Sequence, residues 1–429
     1  MPNNWKTYTI ENIAADIAMG PFGSNIKREN FVESGVPVIR GNNLNYGRFK
    51  DYDFVYLTEE KATSLKRSVA YSDELVFTHR GTIGQVGIIP KNSYPRYVVS
   101  QSQMRLALNK EKANPLFIFY YFRSQYGQRE WLMNSSQVGV PAIAQPTASL
   151  KGCKINLPPI EEQKAIASIL SALDDKIELN LQTNKTLEEM AMTLYKHWFV
   201  DFGPFQNGEF IDSELGKIPK GWEVKSIGDI YQTTSGGTPS RKKLEFYEGG
   251  TIPWVKSKEL YGTFVIDTEE KITQLGIEKS SAKLIPKKSV LLAMYGATVG
   301  ETSILSNEST CNQAICAIIQ KDISYLYVFH YLRYYKSEIL NQAVGSAQQN
   351  ISQVIIKNFK VVSPPKNLGV FNEIEDYYNT IEQNLIENQT LTTLRDTLLP
   401  KLISGEVRIK DVEQTITDHE SVRDEINIE

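Results

Sequence analysis

Residues 177–199, IELNLQTNKTLEEMAMTLYKHWF, return at residues 381–403 as IEQNLIENQTLTTLRDTLLPKLI, with nine of 23 positions identical and a constant offset of 204. A chain built this way contains a duplication, so whatever its first half folds into should have a counterpart in its second. The first copy lies in a run of forty residues, 160–199, without Gly or Pro. At 1.5 Å per residue, residues 161–199 as a helix would extend roughly 58 Å. Seam positions fall at Leu173, Ile177, Asn180, Asn184, Leu187, Ala191, Leu194 and Trp198, and in the second copy at Tyr377, Ile381, Asn384, Asn388, Leu391, Arg395, Leu398 and Leu402. This alternation of four and three predicts two helices with a coiled-coil seam. Each seam carries two Asn, and burying an unpaired amide costs roughly 1–3 kcal/mol. Facing one another, Asn180, Asn184, Asn384 and Asn388 would fix helix register; at the seam's edge they would simply be hydrated.

Each helical run is preceded by a module of another texture. From Trp5 to Pro159, short β-branched and aromatic runs alternate with Gly, Asn and Pro, as in VPVIRGNNL and DELVFTHRGTIGQVGIIP. Such text predicts short strands and turns, with one helix in PLFIFYYFRSQYGQREWLM, where Pro115 suits a first helical position. The second module repeats the plan. PVIRGNNLNYGRF answers PWVKSKELYGTF and RGTIG answers GATVG at an offset of 216, YYFRS answers HYLRY at 210, and LPP answers SPP at 206. Between these anchors the modules differ heavily, so one scaffold presents two surfaces. Pro400 is expected to kink or end the second helix near Leu399. The net charge of −3 conceals an alternation: +7 over 1–154, −7 over 155–215, +5 over 216–360 and −8 over 361–429. Two basic modules therefore alternate with acidic segments.

Several function classes are not supported. Cys153, Cys311 and Cys316 form no CxxC pair and read as packing residues. The four His are scattered, and neither GxxxxGK[ST] nor a methyltransferase-type Asn-Pro-Pro or Asp-Pro-Pro is present. No secretory start and no apolar run near ~18 residues occurs, which predicts a cytoplasmic chain with no membrane partner.

Two unlike β-rich modules, each closed by Pro-Pro and a long helix, together with WFVDF (198–202), SELGKIPKGW (213–222) and LLPKLISGEV near the end, resemble the specificity subunit of Type I restriction-modification enzymes. The resemblance runs from Trp5 to about Lys410. It implies an α+β fold with a pseudo-twofold internal duplication, in which two mainly β target-recognition domains are separated by two long antiparallel helices. The corresponding divisions are 1–159 and 223–365 for the domains, 160–200 and 366–405 for the spacer helices, 201–222 for a connector and 406–429 for an acidic tail. It further implies a non-catalytic chain that reads a bipartite, asymmetric site on double-stranded DNA. Its partners would be two methyltransferase subunits and restriction/translocase subunits, with S-adenosylmethionine, ATP and Mg bound in those partners and no cofactor bound here. A coiled-coil scaffold whose modules bind protein or glycan is the alternative.

Reading DNA requires cations for phosphates and amide, guanidinium or hydroxyl groups for base edges. In the first module the candidates are Ser24, Lys27, Arg28, Arg40, Asn42, Asn43, His79, Arg80 and Thr82. In the second they are Thr238, Arg241, Lys242, Lys243, Lys256, Lys258, Tyr295, Thr298, Gln348 and Gln349. Any one of these loops read alone is more simply a solvated turn; recurrence at equivalent places in both modules is what favours DNA contacts. The aromatic cluster of Trp198, Phe199 and Phe202 either holds a methyltransferase or packs the helix end onto its own module.

Overall fold

The computed structural model describes residues 4–44, 49–91, 93–136, 139–341, 350–366 and 368–409. The chain divides into two compact units, Met1–Ile177 with Thr390–Glu429, and Glu178–Gln389. Each unit contains one module and a segment of both long helices, which run over Ile160–Phe199 and Val370–Ser404.

The two modules repeat one topology. In the first, Lys6–Thr9 pairs antiparallel with Lys154–Leu157, so the two ends of the module close on each other; in the second, Glu223–Ser226 pairs the same way with Lys360–Ser363. A central sheet has the order Ala14–Met19, Gln103–Leu108, Leu75–Thr78, Val86–Ile88. Its counterpart has the order Tyr231–Ser235, Ile315–Gln320, Val290–Ala293, Thr302–Leu305, with Phe264–Val265 added at the edge. Both modules also contain a parallel pairing, Val38 opposite Val98 and Trp254 opposite Thr310.

The strand Leu75–Thr78 is buried on both faces, which explains its unbroken apolar text. Leu75 and Phe77 face the helical layer, where the Phe77 ring meets Phe122 at 4.9 Å and Trp131 at 5.4 Å, while Val76 joins Ile39, Tyr97 and Val99 in a second cluster. In the second module Val290 and Leu292 face the helical layer and Leu291 and Ala293 the other cluster. The helical text of the first module forms two helices, Pro115–Arg123 and Gln125–Leu132, with Ser124 between them accepting from Gly127 N as the second helix's cap.

The long helices run antiparallel within each unit. In the first unit Asp174 accepts from Arg395; in the second Asn180 Nδ2 donates to Asn388 Oδ1 at 2.8 Å and Asn384 Nδ2 to Asn184 Oδ1 at 2.8 Å. Asn180, Asn184 and Asn388 are buried. Toward the modules the buried stripe leaves the expected seam. Asp174 rather than Leu173, Tyr195 and Phe199 rather than Leu194 and Trp198, and Tyr378 rather than Tyr377 are the buried residues there. The cause is that each helix end has a second neighbour, its own module, which rotates the buried face.

Pro400 does not end its helix, which continues to Ser404. It removes the one amide donor that would reach the carbonyl of Asp396 a turn earlier, and only four residues follow it in the helix. The connector is more ordered than its Gly and Pro suggest, since Phe210–Ser213 and Gly216–Pro219 form a hairpin.

The junction between module and helix differs between the units. In the first, buried Asp174 accepts from Tyr120 Oη (2.8 Å), Arg123 Nη1 (3.3 Å) and Arg395 Nη1 (2.7 Å). At the repeat spacings the second unit has Tyr378, His330, Arg333 and Ala191 in these places. There the His330 ring stacks on Tyr195 at 5.2 Å and lies edge-on to Tyr378 at 5.5 Å.

Candidate nucleic-acid interface

The turn after the central strand organises the surface of the first module. His79 N donates to Ser102 O, His79 O accepts from Ile143 N, and its Nε2 lies 3.2 Å from Gln101 O. Burial holds the imidazole below its ordinary pKa. His79, expected at a DNA surface, is thus largely buried and ties three segments together, yet it also lines the larger cleft beside Arg80. The next residue, Arg80, is exposed. It lines two adjoining clefts of about 910 and 460 Å³, into which the loops 20–28, 40–44 and 78–82 and the turn 100–103 all converge.

Arg40 lines the smaller cleft and donates to Asp53 O at 3.2 Å; Asn42 is exposed and reaches Asp53 Oδ2 at 3.3 Å. Asn43 is fully buried: it accepts from Arg40 N and donates to Lys50 O and Tyr52 O, so it shapes the loop and is unavailable to a base. Lys27, Arg28 and Thr82 are exposed. The side chain of Ser24 lies outside the described residues. Phe22, Lys66, Arg67, Gln101 and Ser102 also line the larger cleft and were not singled out from the sequence. An aromatic between Pro21 and Gly23 in an otherwise polar loop was the one available signal.

Matching hydrogen bonds make the second module's counterparts explicit. Met294 N donates to Ala314 O and Met294 O accepts from Ile351 N, as His79 does with Ser102 and Ile143. Tyr295 therefore corresponds to Arg80, an offset of 215; the sequence match at 216 had paired Arg80 with Gly296. Lys256 N donates to Glu259 as Arg40 N does to Asn43, so Lys256 answers Arg40 and Lys258 answers Asn42. The register of Val98 with Thr310 carries Gln101 onto Gln313. Gln313 accepts from Thr238, the counterpart of Phe22.

Three of the second module's candidate cations are already compensated. Arg241 pairs with Glu270, Lys256 with Glu269 (3.2 Å) and Glu270 (2.5 Å), and Lys258 with Glu269 (2.7 Å). Hydrogen bonds from Arg241 and Lys256 hold the Glu270 carboxyl down to about 2. The Arg241 guanidinium also lies over Tyr247 at 4.5 Å and Trp254 at 5.0 Å, and Lys243 over Phe246 at 5.0 Å. Lys242 is exposed and Thr298 half-buried, while Gln348 and Gln349 lie outside the described residues.

The aromatic cluster after the first helix faces inward. Phe199 is buried and stacks on Phe371 at 5.3 Å, Phe202 lies edge-on to Trp222 at 5.3 Å, and Trp198 lies edge-on to Phe205 at 6.0 Å. Phe199, expected at a partner surface, is thus part of its own unit's core. Among the described residues no group of three or more His, Cys, Asp or Glu can hold a metal ion, and no helix is long and apolar enough to cross a membrane.

The family model of the Type I restriction modification DNA specificity domain matches residues 2–189 and again 219–392, the two repeated halves. The chain belongs to the Type I specificity-subunit family. This specificity subunit is 28% identical to the Type I restriction enzyme MjaIX specificity subunit of Methanocaldococcus jannaschii, over 96% of this chain and 95% of that one. It is also 28% identical to the HindI specificity subunit of Haemophilus influenzae, over 94% and 100% respectively. The crystal structure of a Type I restriction-modification S subunit from M. genitalium shares the fold, with a TM-score of 0.61 at 18% identity and coverage of 94% and 97%. The function carried by the family is DNA sequence recognition within a restriction-modification complex.

Proposed function

We infer that each module reads one half of a bipartite, asymmetric site on double-stranded DNA, through the side chains of the loops after its central strands. The observation carrying this reading is that equivalent positions of one scaffold hold different chemistry: Phe22, Arg40, Asn42 and Arg80 in one module, Thr238, Lys256, Lys258 and Tyr295 in the other. Arg80 offers the bidentate donor fork suited to guanine, and Gln101 and Gln313 the paired donor and acceptor suited to adenine. Lys27, Arg28, Lys66 and Arg67 supply phosphate contacts. The second module works through a charge exchange, in which phosphates displace Glu269 and Glu270 from Lys256, Lys258 and Arg241.

The long helices dock two methyltransferase subunits, and restriction/translocase subunits join that assembly. Apolar side chains left exposed on the helices, Leu179 (57%), Leu181, Met190 and Ile386, favour a protein partner there. The acidic segments 155–215 and 361–429 disfavour DNA on the same surface. S-adenosylmethionine, ATP and Mg belong to those partners, and this chain carries out no chemical step. The test is to replace residues 223–360 with the corresponding module of another family member and map methylated sites. One half-site should change and the other stay. A change in both halves refutes independent reading, and binding to a protein or glycan without protection of any DNA sequence restores the scaffold alternative.

A further inference from the structure

Phe22 is 82% exposed, although burying a phenylalanine side chain is worth roughly 1.5–3 kcal/mol. Nothing in its own unit accounts for that. Nor is the side chain on a loose loop. Pro21 restricts the backbone before it, Gly20 N donates to Gln103 O at 2.8 Å, and Phe22 O accepts from Asn25 N at 2.8 Å. The loop is seated so closely that a Cβ on Gly20 would lie 1.8 Å from Ser100 O, and one on Gly23 2.5 Å from Gln101 Oε1. The ring is thereby held at the rim shared by both clefts, with Arg80 and Gln101 alongside and Arg40 in the smaller one. In the second module the equivalent place holds Thr238, hydrogen-bonded to Gln313.

We propose that Phe22 is a wedge that inserts between adjacent base pairs of the half-site read by the first module and kinks the duplex there, with no equivalent kink in the other half-site. This rests on the clefts being the DNA-contacting surface. Apolar side chains that part a base step bend DNA by roughly 20–90°. Lys66 and Arg67, which line the larger cleft with Phe22, are placed to hold the phosphates flanking such a step. A wedge also discriminates without hydrogen bonds, because pyrimidine–purine steps unstack most readily. The first module therefore reads deformability at one step as well as base edges.

The test uses the chain co-expressed with its modification subunits and duplexes of its methylation-mapped site carrying 2-aminopurine at successive positions of the first half-site. Wild-type complex should raise fluorescence several-fold at one step and retard a circularly permuted bend probe. Phe22→Ala should abolish both signals and weaken specific binding about 5- to 150-fold, the range for losing one aromatic–base stack. Phe22→Trp should restore them, and the melting temperature of Phe22→Ala should match wild type. If Phe22→Ala keeps the bend and binds within twofold of wild type, the wedge is refuted. If it binds weakly but still bends DNA, Phe22 is a surface contact and insertion is refuted. If the wild-type complex recognises no specific duplex, it is the DNA-reading assignment of the clefts that fails, and the proposal with it.

Discussion

Replacing Asp174 by Asn tests the account of the first unit's helix junction most directly. Asp174 is 5% exposed and carries the negative charge between two guanidiniums, Arg123 and Arg395, each with a side chain 13% exposed. The amide keeps the size of the side chain, so no cavity forms, but it removes the buried negative charge that both guanidiniums share, while Arg395 keeps its pairing with the exposed Asp396. Removing one partner of a buried ionic cluster costs about 3–5 kcal/mol, largely because the remaining charge is stranded. At roughly 2–4 °C per kcal/mol for a unit of about 200 residues, melting should fall by about 6–20 °C. Scanning calorimetry with urea titration at constant pH measures it. Adding Arg395→Met should recover about 1–3 kcal/mol, since the two effects are coupled through one contact. A loss below about 1 kcal/mol, the value of an exposed ion pair, or strict additivity of the two substitutions, would refute the idea that this cluster holds module to helix.

Three further outcomes are expected. His330 is buried with neither ring nitrogen hydrogen-bonded, and burial lowers its pKa to about 3. Below about pH 6.5 the unfolded chain therefore takes a proton that the folded chain refuses. Its contribution is complete above that pH and falls by about 1.4 kcal/mol per unit toward 3. His330→Phe should remove that slope, and parallel stability curves for the two proteins would contradict it. Asn184→Leu alone strands Asn384 Nδ2 and should cost about 1–3 kcal/mol, whereas Asn184→Leu with Asn384→Leu should regain it in urea titrations. Arg80→Ala should relax discrimination at a single base pair by about 1–3 kcal/mol, while Lys66→Ala should lower affinity for all sequences and reduce the salt slope by about one; equal effects of the two on specificity would argue against that division of labour.

Much of this was legible in the chain. The bounds of the first helix follow from a Gly- and Pro-free run, whereas the second, expected over 366–405, begins at Val370 and passes through Pro400 to Ser404. Of the four first-module loops that carry the candidate chemistry, 20–28, 40–48, 78–82 and 135–139, the first three contribute described residues to the clefts, while 40–48 and 135–139 lie partly outside the described residues. Their shared neighbour, the turn 100–103, was not foreseen because it sits inside a continuous strand-like run, YVVSQSQMRLAL, whose periodicity hides a bend. Asn43 and His79 were offered as base readers on residue type alone, and burial depends on contacts with residues 50–53 and 101–102 that no local pattern encodes. The counter-ions Glu269 and Glu270 were likewise invisible beside Arg241, 29 residues away for the Glu270 pair. The seam was misread at its ends because a heptad describes a helix with one neighbour, and these ends have two.

The unlike junctions bear on how such a gene acquires new specificity. A recombination event that carried a second-position module into the first position would bring His330 and Arg333 to where Asp174 and Arg395 expect a tyrosine hydroxyl beside an arginine. The phenol would be lost and the cluster left incomplete. The reverse exchange would set Tyr120 where the His330 ring stacks on Tyr195 and meets Tyr378 edge-on. Inherited shuffling of modules should therefore run between like positions of different genes. Exchange between the two positions of one gene would survive only when the crossover carries the adjoining helix segment along.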